Sequence, residues 1–165
     1  MKTQIKFDID GVCRNLGIIH KRFNIPKLTN NWHWKYKGKD VYDWVAEDLS
    51  ILESAPSLEY IEAIKEFGKN HKIEFWTHQP KDWEPHTRRW IKKFFGDKCK
   101  IVFLKPNEKF NRLKKNKNTL LVDDYPLFKD YKQIILVNQY YNQDTKAPIR
   151  VKNNKELSKE LKKYN

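Results

Sequence analysis

The sequence predicts an α/β domain built on a parallel β-sheet flanked by helices. Three short apolar runs, IVFL, TLLV and IILV, do not alternate with polar residues, which is typical of strands that are buried on both faces. Segments with apolar residues at helical spacing separate these runs along the chain. Strands that alternate with helices in this way favour parallel pairing through crossover connections.

Five strands are predicted in chain order. In the first, residues 4–9, the side chains of Ile5, Phe7 and Ile9 alternate with polar ones. The other predicted strands are residues 73–77, 100–104, 119–124 and 133–138. Helical faces are predicted within residues 40–52, 58–67, 83–94 and 155–163, and Asn153 is a suitable N-cap for the last helix.

The composition is that of a folded domain with a strongly basic surface. The chain has 165 residues, of which 39% are hydrophobic and 14% aromatic, and this excludes a disordered chain. The net charge of +13 attracts polyanions, so nucleic acid and phosphorylated metabolites are both candidate partners. The alternative is a lysine-rich composition whose charges are simply solvated, because no known nucleic-acid-binding motif is visible.

The cysteines and the hydropathy pattern predict a cytoplasmic protein. Cys13 and Cys99 are the two cysteines of the chain and lie far apart, which argues against a disulfide framework and fits a reducing compartment. The first residues contain no apolar signal region, and no stretch approaches the 18 apolar residues that a membrane span needs.

Polar side chains stand where three of the predicted strands end. The first strand ends at Asp8 and Asp10, the second at Thr77, and the fourth at Asp123 and Asp124. Ligands of parallel sheets bind beyond the carboxyl ends of the strands, so these side chains converge if the three strands are neighbours. Carboxylates this close need a cation, and Mg²⁺ with its preference for oxygen ligands is predicted as the cofactor. A metal beside an exposed aspartate suits phosphoryl transfer.

Three short motifs resemble those of the haloacid dehalogenase (HAD) superfamily. They are FDIDGV at residues 7–12, IEFWT ending at Thr77, and LLVDD ending at Asp124. The DxDG form is that of the superfamily's phosphatases, and the order of elements resembles the small 5'(3')-deoxyribonucleotidases, including phage-type versions. The resemblance implies a Rossmann-like parallel sheet with a small, mainly helical cap inserted after the first strand.

The resemblance also implies roles for the acidic residues. Asp8 would be the nucleophile that forms an aspartyl-phosphate, and Asp10 would protonate the leaving oxygen and then activate water. Asp8, the backbone carbonyl of Asp10, and Asp123 would hold Mg²⁺, with Asp124 supporting the ion directly or through water.

Phosphate-binding residues follow from the same resemblance. Thr77 would donate a hydrogen bond to the phosphate, and a lysine upstream of LLVDD would pair with the nucleophile. Lys109, expected to open the helix before that strand, is favoured over Lys105. His78 and Gln79 depart from the smaller residues that are common after the second strand.

Each of these residues also has an ordinary structural interpretation. Asp8 and Asp10 could form a simple turn, and Asp123 and Asp124 could cap a helix. Thr77 could be a strand residue without a ligand, and Lys109 one of many solvated lysines.

The predicted cap comprises residues 16–54, and residues 1–15 and 55–165 form the α/β core. The cap contains three lysines, Lys35, Lys37 and Lys39, among several aromatic residues. These are Trp32, Trp34, Tyr36, Tyr42 and Trp44. Aromatic rings stack on bases and lysines attract phosphate, although the same residues could form the cap's own core with lysines extending to solvent.

The predicted function is a Mg²⁺-dependent phosphatase that hydrolyses (deoxy)nucleoside monophosphates through an aspartyl-phosphate. Two alternatives stay open at this point. One is a phosphatase that acts on nucleic-acid ends, which the charge favours, and the other is a non-catalytic binding protein with the same fold.

Overall fold

The protein folds around a central parallel sheet. The computed structural model describes residues 3–27, 34–128 and 131–164. Within these residues the strands are β1 (Gln4–Phe7), β2 (Glu74–Thr77), β3 (Lys100–Phe103), β4 (Thr119–Asp123), β5 (Ile134–Val137) and β6 (Ile149–Val151). They pair in the order β3-β2-β1-β4-β5-β6, and every pair is parallel.

Helices connect and cover the strands. They are α1 (Ile19–Arg22), α2 (Val41–Glu47), α3 (Ile51–Ser54), α4 (Ile61–Gly68), α5 (Glu84–Phe95), α6 (Pro106–Lys115) and α7 (Asn154–Leu161). Short 3-10 turns lie at Leu16–Ile18, Lys81–Trp83, Pro126–Phe128 and Lys162–Tyr164. The fold class predicted from the sequence is confirmed, since a parallel sheet is flanked by helices on both faces.

Two apolar layers sandwich the sheet. On one face, Phe7, Phe75 and Val122 pack against α4, α5 and α7, which contribute Ile64, Trp90 and other buried side chains. On the other face, Trp76, Leu121 and Leu136 pack against α6 through Leu113. This double coverage explains why the strands have no polar alternation.

Two sequence predictions differ from the structure. The single helical face over residues 40–52 is divided into α2 and α3, because the Asp48 carboxylate accepts hydrogen bonds from the backbone and hydroxyl of Ser50 and ends α2. Strand β6 was not predicted, since its three residues include Arg150 and are too short to give a periodic signal.

The segment between β1 and β2 has an apolar cluster of its own. Its buried side chains include Ile19, Trp44, Leu52 and, from the turn after β2, Trp83. The division into a 16–54 cap and an α/β core stays a prediction. Across the described ranges, no helix combines the length and the apolar character that crossing a membrane would require.

Candidate active site

The sheet topology brings the predicted site residues to one edge. Strand β1 lies between β2 and β4, with Phe7 in register with Phe75 on one side and Val122 on the other. Asp8, directly after β1, donates its backbone N–H to the Val122 carbonyl at 2.8 Å. The neighbour relation that the site prediction required is therefore present, and the order of strands reverses at this point, where ligands of such sheets bind.

Three carboxylates form a cluster at this edge. Among the described acidic residues, Asp8, Asp123 and Asp124 each place an oxygen within 4.8 Å of the others. Asp123 is fully buried and Asp124 nearly so. Carboxylates that are this close and this poorly hydrated repel one another strongly unless positive charge lies among them.

Lys109 supplies one positive charge to the cluster. Its Nζ lies 2.9 Å from Asp8 Oδ2 and 3.0 Å from Asp123 Oδ2, and the residue is 3% exposed. It lies in the first turn of α6, which packs on the sheet through Leu113, so the helix aims it at the strand ends. Lys105, the rival candidate, precedes this helix and is exposed. The structure thus places Lys109, and not Lys105, against the carboxylates.

Burial and repulsion perturb the ionisation of the cluster. Burial raises the pKa of the Asp8 carboxyl to about 7, with Lys109 opposing this effect and Asp123 adding to it. Burial also raises the pKa of Asp124 well above its ordinary value, and the neighbouring Asp123 charge raises it further. Burial alone would lower the pKa of Lys109, but the Asp123 and Asp8 carboxylates raise it, so Lys109 is a permanent cation.

The cluster fits a hard divalent cation. Three carboxylates and one ammonium leave two uncompensated negative charges when all groups are ionised. Oxygen ligands from carboxylates, with room for water and phosphate oxygens in the adjoining cavity, are what Mg²⁺ prefers. A bound cation would also favour the ionised forms of Asp8 and Asp124, whose pKa values are raised in its absence.

Asp10 is not part of this cluster and has partners of its own. Arg14 donates from Nε to Asp10 Oδ1 at 2.7 Å and from one terminal nitrogen to Oδ2 at 3.1 Å. Gln79 donates its amide to Oδ2 at 2.5 Å and accepts a hydrogen bond from the Thr87 hydroxyl. The sequence reasoning missed Arg14 and Thr87, and it noted Gln79 only as an unusual residue. The available signal was the spacing of four residues between Asp10 and Arg14.

The loop after β5 closes another side of the site. The Tyr141 hydroxyl donates to Asp124 Oδ2, and the Gln139 amide donates to the Gly11 carbonyl at 2.6 Å. Gly11 has a φ of +78°, and a Cβ there would overlap the Asp124 carboxylate and lie 2.6 Å from the Tyr141 oxygen. Glycine is therefore required at this position for both conformation and space. Neither Gln139 nor Tyr141 was predicted to contribute.

A cavity of about 490 Å³ opens above the carboxylates. Asp8, Asp10, Thr77, Lys109 and Asp124 line its floor. Residues from the segment between β1 and β2 form one wall, and residues of the loop after β5 form another; they include Trp34, Lys35, Tyr42, Tyr140 and Tyr141. Thr77 is buried at the end of β2, so the surrounding sheet fixes its position.

The aromatic residues of the predicted cap have different surroundings. Trp34 and Tyr42 line the cavity, but Trp34 is also buried and belongs with Trp44 to the apolar cluster between β1 and β2. Tyr36 packs against Trp44 at a ring distance of 6.4 Å. Trp32 lies outside the described residues. Tyr42 is 43% exposed and stacks on Trp83 at 5.1 Å. Partial burial and the charges of the Asp10 and Asp8 carboxylates raise the pKa of the Tyr42 phenol.

Comparison with known proteins identifies the fold. No protein-family model and no curated protein sequence matches the chain. A HAD family hydrolase from Deinococcus radiodurans R1, whose crystal structure contains phosphate and sodium, superimposes with a TM-score of 0.61 and 11% identity. The alignment covers 99% of this chain and 96% of that one. A Thermotoga maritima protein assigned as a beta-phosphoglucomutase gives a TM-score of 0.56 at 15% identity, covering 99% and 100% of the two chains.

These likenesses define a class of fold. Nearly the whole of each chain aligns, so the chain has the α/β fold of these HAD family neighbours. At these identities the likeness concerns the backbone, and the chemistry must be argued from this chain's own side chains.

Proposed function

We propose that this protein is a Mg²⁺-dependent phosphatase that forms an aspartyl-phosphate on Asp8 and hydrolyses (deoxy)nucleoside monophosphates. The observation that carries the proposal is the placement of Asp8 at the end of β1, between Lys109 and the buried pair Asp123 and Asp124. A nucleophilic carboxylate needs a cation beside it that can also neutralise the phosphate it attacks. The fold shared with HAD family hydrolases supports the reaction class.

The acidic cluster would hold the metal ion. Asp8, Asp123 and Asp124 have the ligand type and the spacing, and the Asp10 backbone carbonyl is a further proposed ligand. The ion would draw phosphate oxygens to the site and neutralise their charge. Lys109 remains charged throughout and balances the Asp8 and Asp123 carboxylates when the substrate is absent.

The reaction would proceed in two displacements. In the first, an Asp8 oxygen bonds to phosphorus while the ester P–O bond breaks, and Asp10 gives a proton to the leaving oxygen. In the second, a water oxygen bonds to phosphorus and loses its proton to Asp10, while the bond between Asp8 and phosphorus breaks and inorganic phosphate leaves. Thr77 would donate a hydrogen bond to the phosphate, and Lys109 would offset its charge.

The cavity supports a nucleotide as the substrate. Its volume of about 490 Å³ is within the range of small-molecule sites. The exposed Tyr42 lines the wall together with Trp34, which is 8% exposed, and Lys35 adds positive charge there. Aromatic faces stack on any base, so the lining favours a nucleoside over a small sugar.

A phosphatase of nucleic-acid ends is the second candidate. The observation that favours it is the net charge of +13, which would attract a polynucleotide. A non-catalytic binding protein would have no need of both a nucleophile and a proton donor, and Asp8 and Asp10 line the same cavity.

The test is phosphate release from a panel of nucleoside monophosphates and end-phosphorylated oligonucleotides, with Mg²⁺ and with EDTA. We expect release that requires Mg²⁺, and no release from Asp8→Asn beyond a trace. Asp97→Asn, at an exposed position, is the matched control and should retain full activity. A steep loss of kcat/KM with salt would identify the polymer as the substrate. Undiminished turnover by Asp8→Asn would rule out the covalent route.

A further inference from the structure

Arg14 is a buried cation whose one carboxylate partner, within the described ranges, is Asp10. Arg14 is fully buried, and all three of its guanidinium nitrogens donate hydrogen bonds. Its partners besides Asp10 are neutral, namely the Leu52 carbonyl at 3.0 Å and the Thr87 hydroxyl at 3.1 Å. Because a buried arginine needs a counter-charge, the position of the Asp10 carboxylate is tied to that of the guanidinium.

A ring of hydrogen bonds fixes this carboxylate from a second side. Thr87 accepts from Arg14 and donates its hydroxyl proton to Gln79 Oε1 at 2.7 Å. With its oxygen occupied in this way, Gln79 must turn its amide nitrogen toward Asp10 Oδ2, where the distance is 2.5 Å. Arg14 also donates to this Oδ2, and so closes the ring.

The number of donors distinguishes the two oxygens of Asp10. Each carboxylate oxygen has two lone-pair positions in the carboxyl plane. Oδ2 receives two hydrogen bonds, from Arg14 and Gln79, whereas Oδ1 receives one, from Arg14 Nε, as far as the described residues extend. Oδ1 therefore keeps a lone pair that can bind and release a proton, and Asp10 lines the cavity.

We propose that Arg14, Gln79 and Thr87 are positioning residues that hold Asp10 with Oδ1 as the oxygen exchanging the proton. This inference rests on the proposed function, in which Asp10 protonates the leaving oxygen and later accepts a proton from water. A carboxylate that is free to rotate would hold its proton-exchanging oxygen in the reactive orientation for only part of the time, which would lower the rate of both proton transfers.

The test compares two leaving groups in rapid-quench experiments. A nucleoside leaves only with a proton, whereas 4-nitrophenolate departs without one. Thr87→Val keeps the shape of the side chain and breaks the ring, and Gln79→Met removes the donor to Oδ2 but leaves Arg14 untouched. Glu53→Gln is the control, because Glu53 joins α3 to α5 through Arg89 at the same interface and does not contact Asp10.

We expect both variants to release nucleoside about 10- to 100-fold more slowly in the first turnover, a part of what a general acid contributes. The rate at which the first equivalent of 4-nitrophenolate is released should change less than about 3-fold. This release should appear as a burst, because slow hydrolysis of the aspartyl-phosphate then limits the later turnovers. Glu53→Gln should behave as wild type with both substrates.

Equal slowing of the two leaving groups, or of neither, would overturn the positioning role while leaving the proposed function in place. If Thr87→Val does not fold, Gln79→Met gives the same comparison. A wild-type protein that hydrolyses neither substrate with Mg²⁺ would overturn the proposed function and this inference together.

Discussion

Replacing Lys109 with methionine would remove the ammonium group that lies between Asp8 and Asp123. At an effective dielectric near 20, the N–O distances of 2.9 and 3.0 Å correspond to about 5 to 6 kcal/mol of attraction each, before the cost of burying the lysine. Removing one partner from a buried ion pair costs about 3 to 5 kcal/mol, because the other partner is left without compensation. We therefore expect Lys109→Met to lower the free energy of unfolding by about 3 kcal/mol at pH 8.

The loss should depend on pH and on metal. Burial already raises the pKa of Asp8 to about 7, so below that pH a proton can take over part of the role of the missing lysine. The destabilisation should shrink at pH 5.5, and Mg²⁺ should restore part of the stability at pH 8. We expect kcat/KM to fall at least about 100-fold. Mg²⁺ should not restore it, because the charge of Lys109 is also required to offset the charge of the phosphate.

Urea unfolding followed by tryptophan fluorescence measures the stability, with phosphate release measured on the same samples. Lys105→Met is the matched control, since it removes an exposed lysine four residues earlier. It should unfold at the same urea concentration as wild type and lose less than about 3-fold in kcat/KM. A stable and active Lys109→Met variant, or greater damage from Lys105→Met, would refute this account of the site.

Three further outcomes follow from the geometry. Without metal, the pKa of Asp8 rises from 3.8 to about 7 on folding, so between these pH values the folded state binds more protons than the unfolded state. Stability should therefore fall as pH rises across that window. Thermal unfolding in EDTA at pH 5 and 8 measures this, and a stability that rises with pH would contradict it. Gly11→Ala should cost more than about 2 kcal/mol and weaken Mg²⁺ binding, whereas Gly38→Ala, also at positive φ but in open space, should cost about 1 kcal/mol in urea unfolding. Tyr42→Ala should raise KM for nucleoside monophosphates about 10-fold and leave KM for 4-nitrophenyl phosphate nearly unchanged; an equal effect on both would exclude base stacking.

The sheet and the acidic cluster were predictable because both depend on local patterns. Apolar runs without alternation identify buried parallel strands, and the residues after such strands must meet at one edge. Asp8, Thr77 and Asp123 could be placed in this way before any contact was known. Lys109 was favoured over Lys105 only through the resemblance, as the lysine expected to open the helix before LLVDD, and its contact with the carboxylates depends on the packing of α6 on the sheet.

The partners of Asp10 were not predictable in this way. Gln79 contacts Asp10 from 69 residues further along the chain, and Thr87 contacts Arg14 from 73 residues further along. No spacing rule relates such residues, since only the packing of α5 against the first loop brings them together. The same holds for Tyr141, which reaches Asp124 from the loop after β5.

The aromatic cap residues contain a geometric signal that composition alone does not reveal. Tyr42 and Trp44 are two positions apart on α2 and so lie on opposite faces of that helix, about 200° apart. Tyr42 lines the cavity, and Trp44 is buried in the apolar cluster of the segment between β1 and β2. Counting aromatic residues therefore overstates the number available to a ligand, whereas helical phase separates them.

The two carboxylates that stand one residue apart, Asp8 and Asp10, belong to two separate electrostatic units. Asp8 shares Lys109 with Asp123, and with Asp124 included this unit lacks two positive charges when all groups are ionised, which a divalent cation would supply. Asp10 forms a pair with Arg14 that is already neutral. A metal ion that enters the site is therefore attracted mainly by the first unit and little by the second. The Asp10 side chain is then available for proton transfer and not for binding the metal. Arg14→Met would unite the two units by freeing the Asp10 charge, and in the proposed mechanism it should raise Mg²⁺ affinity while lowering turnover.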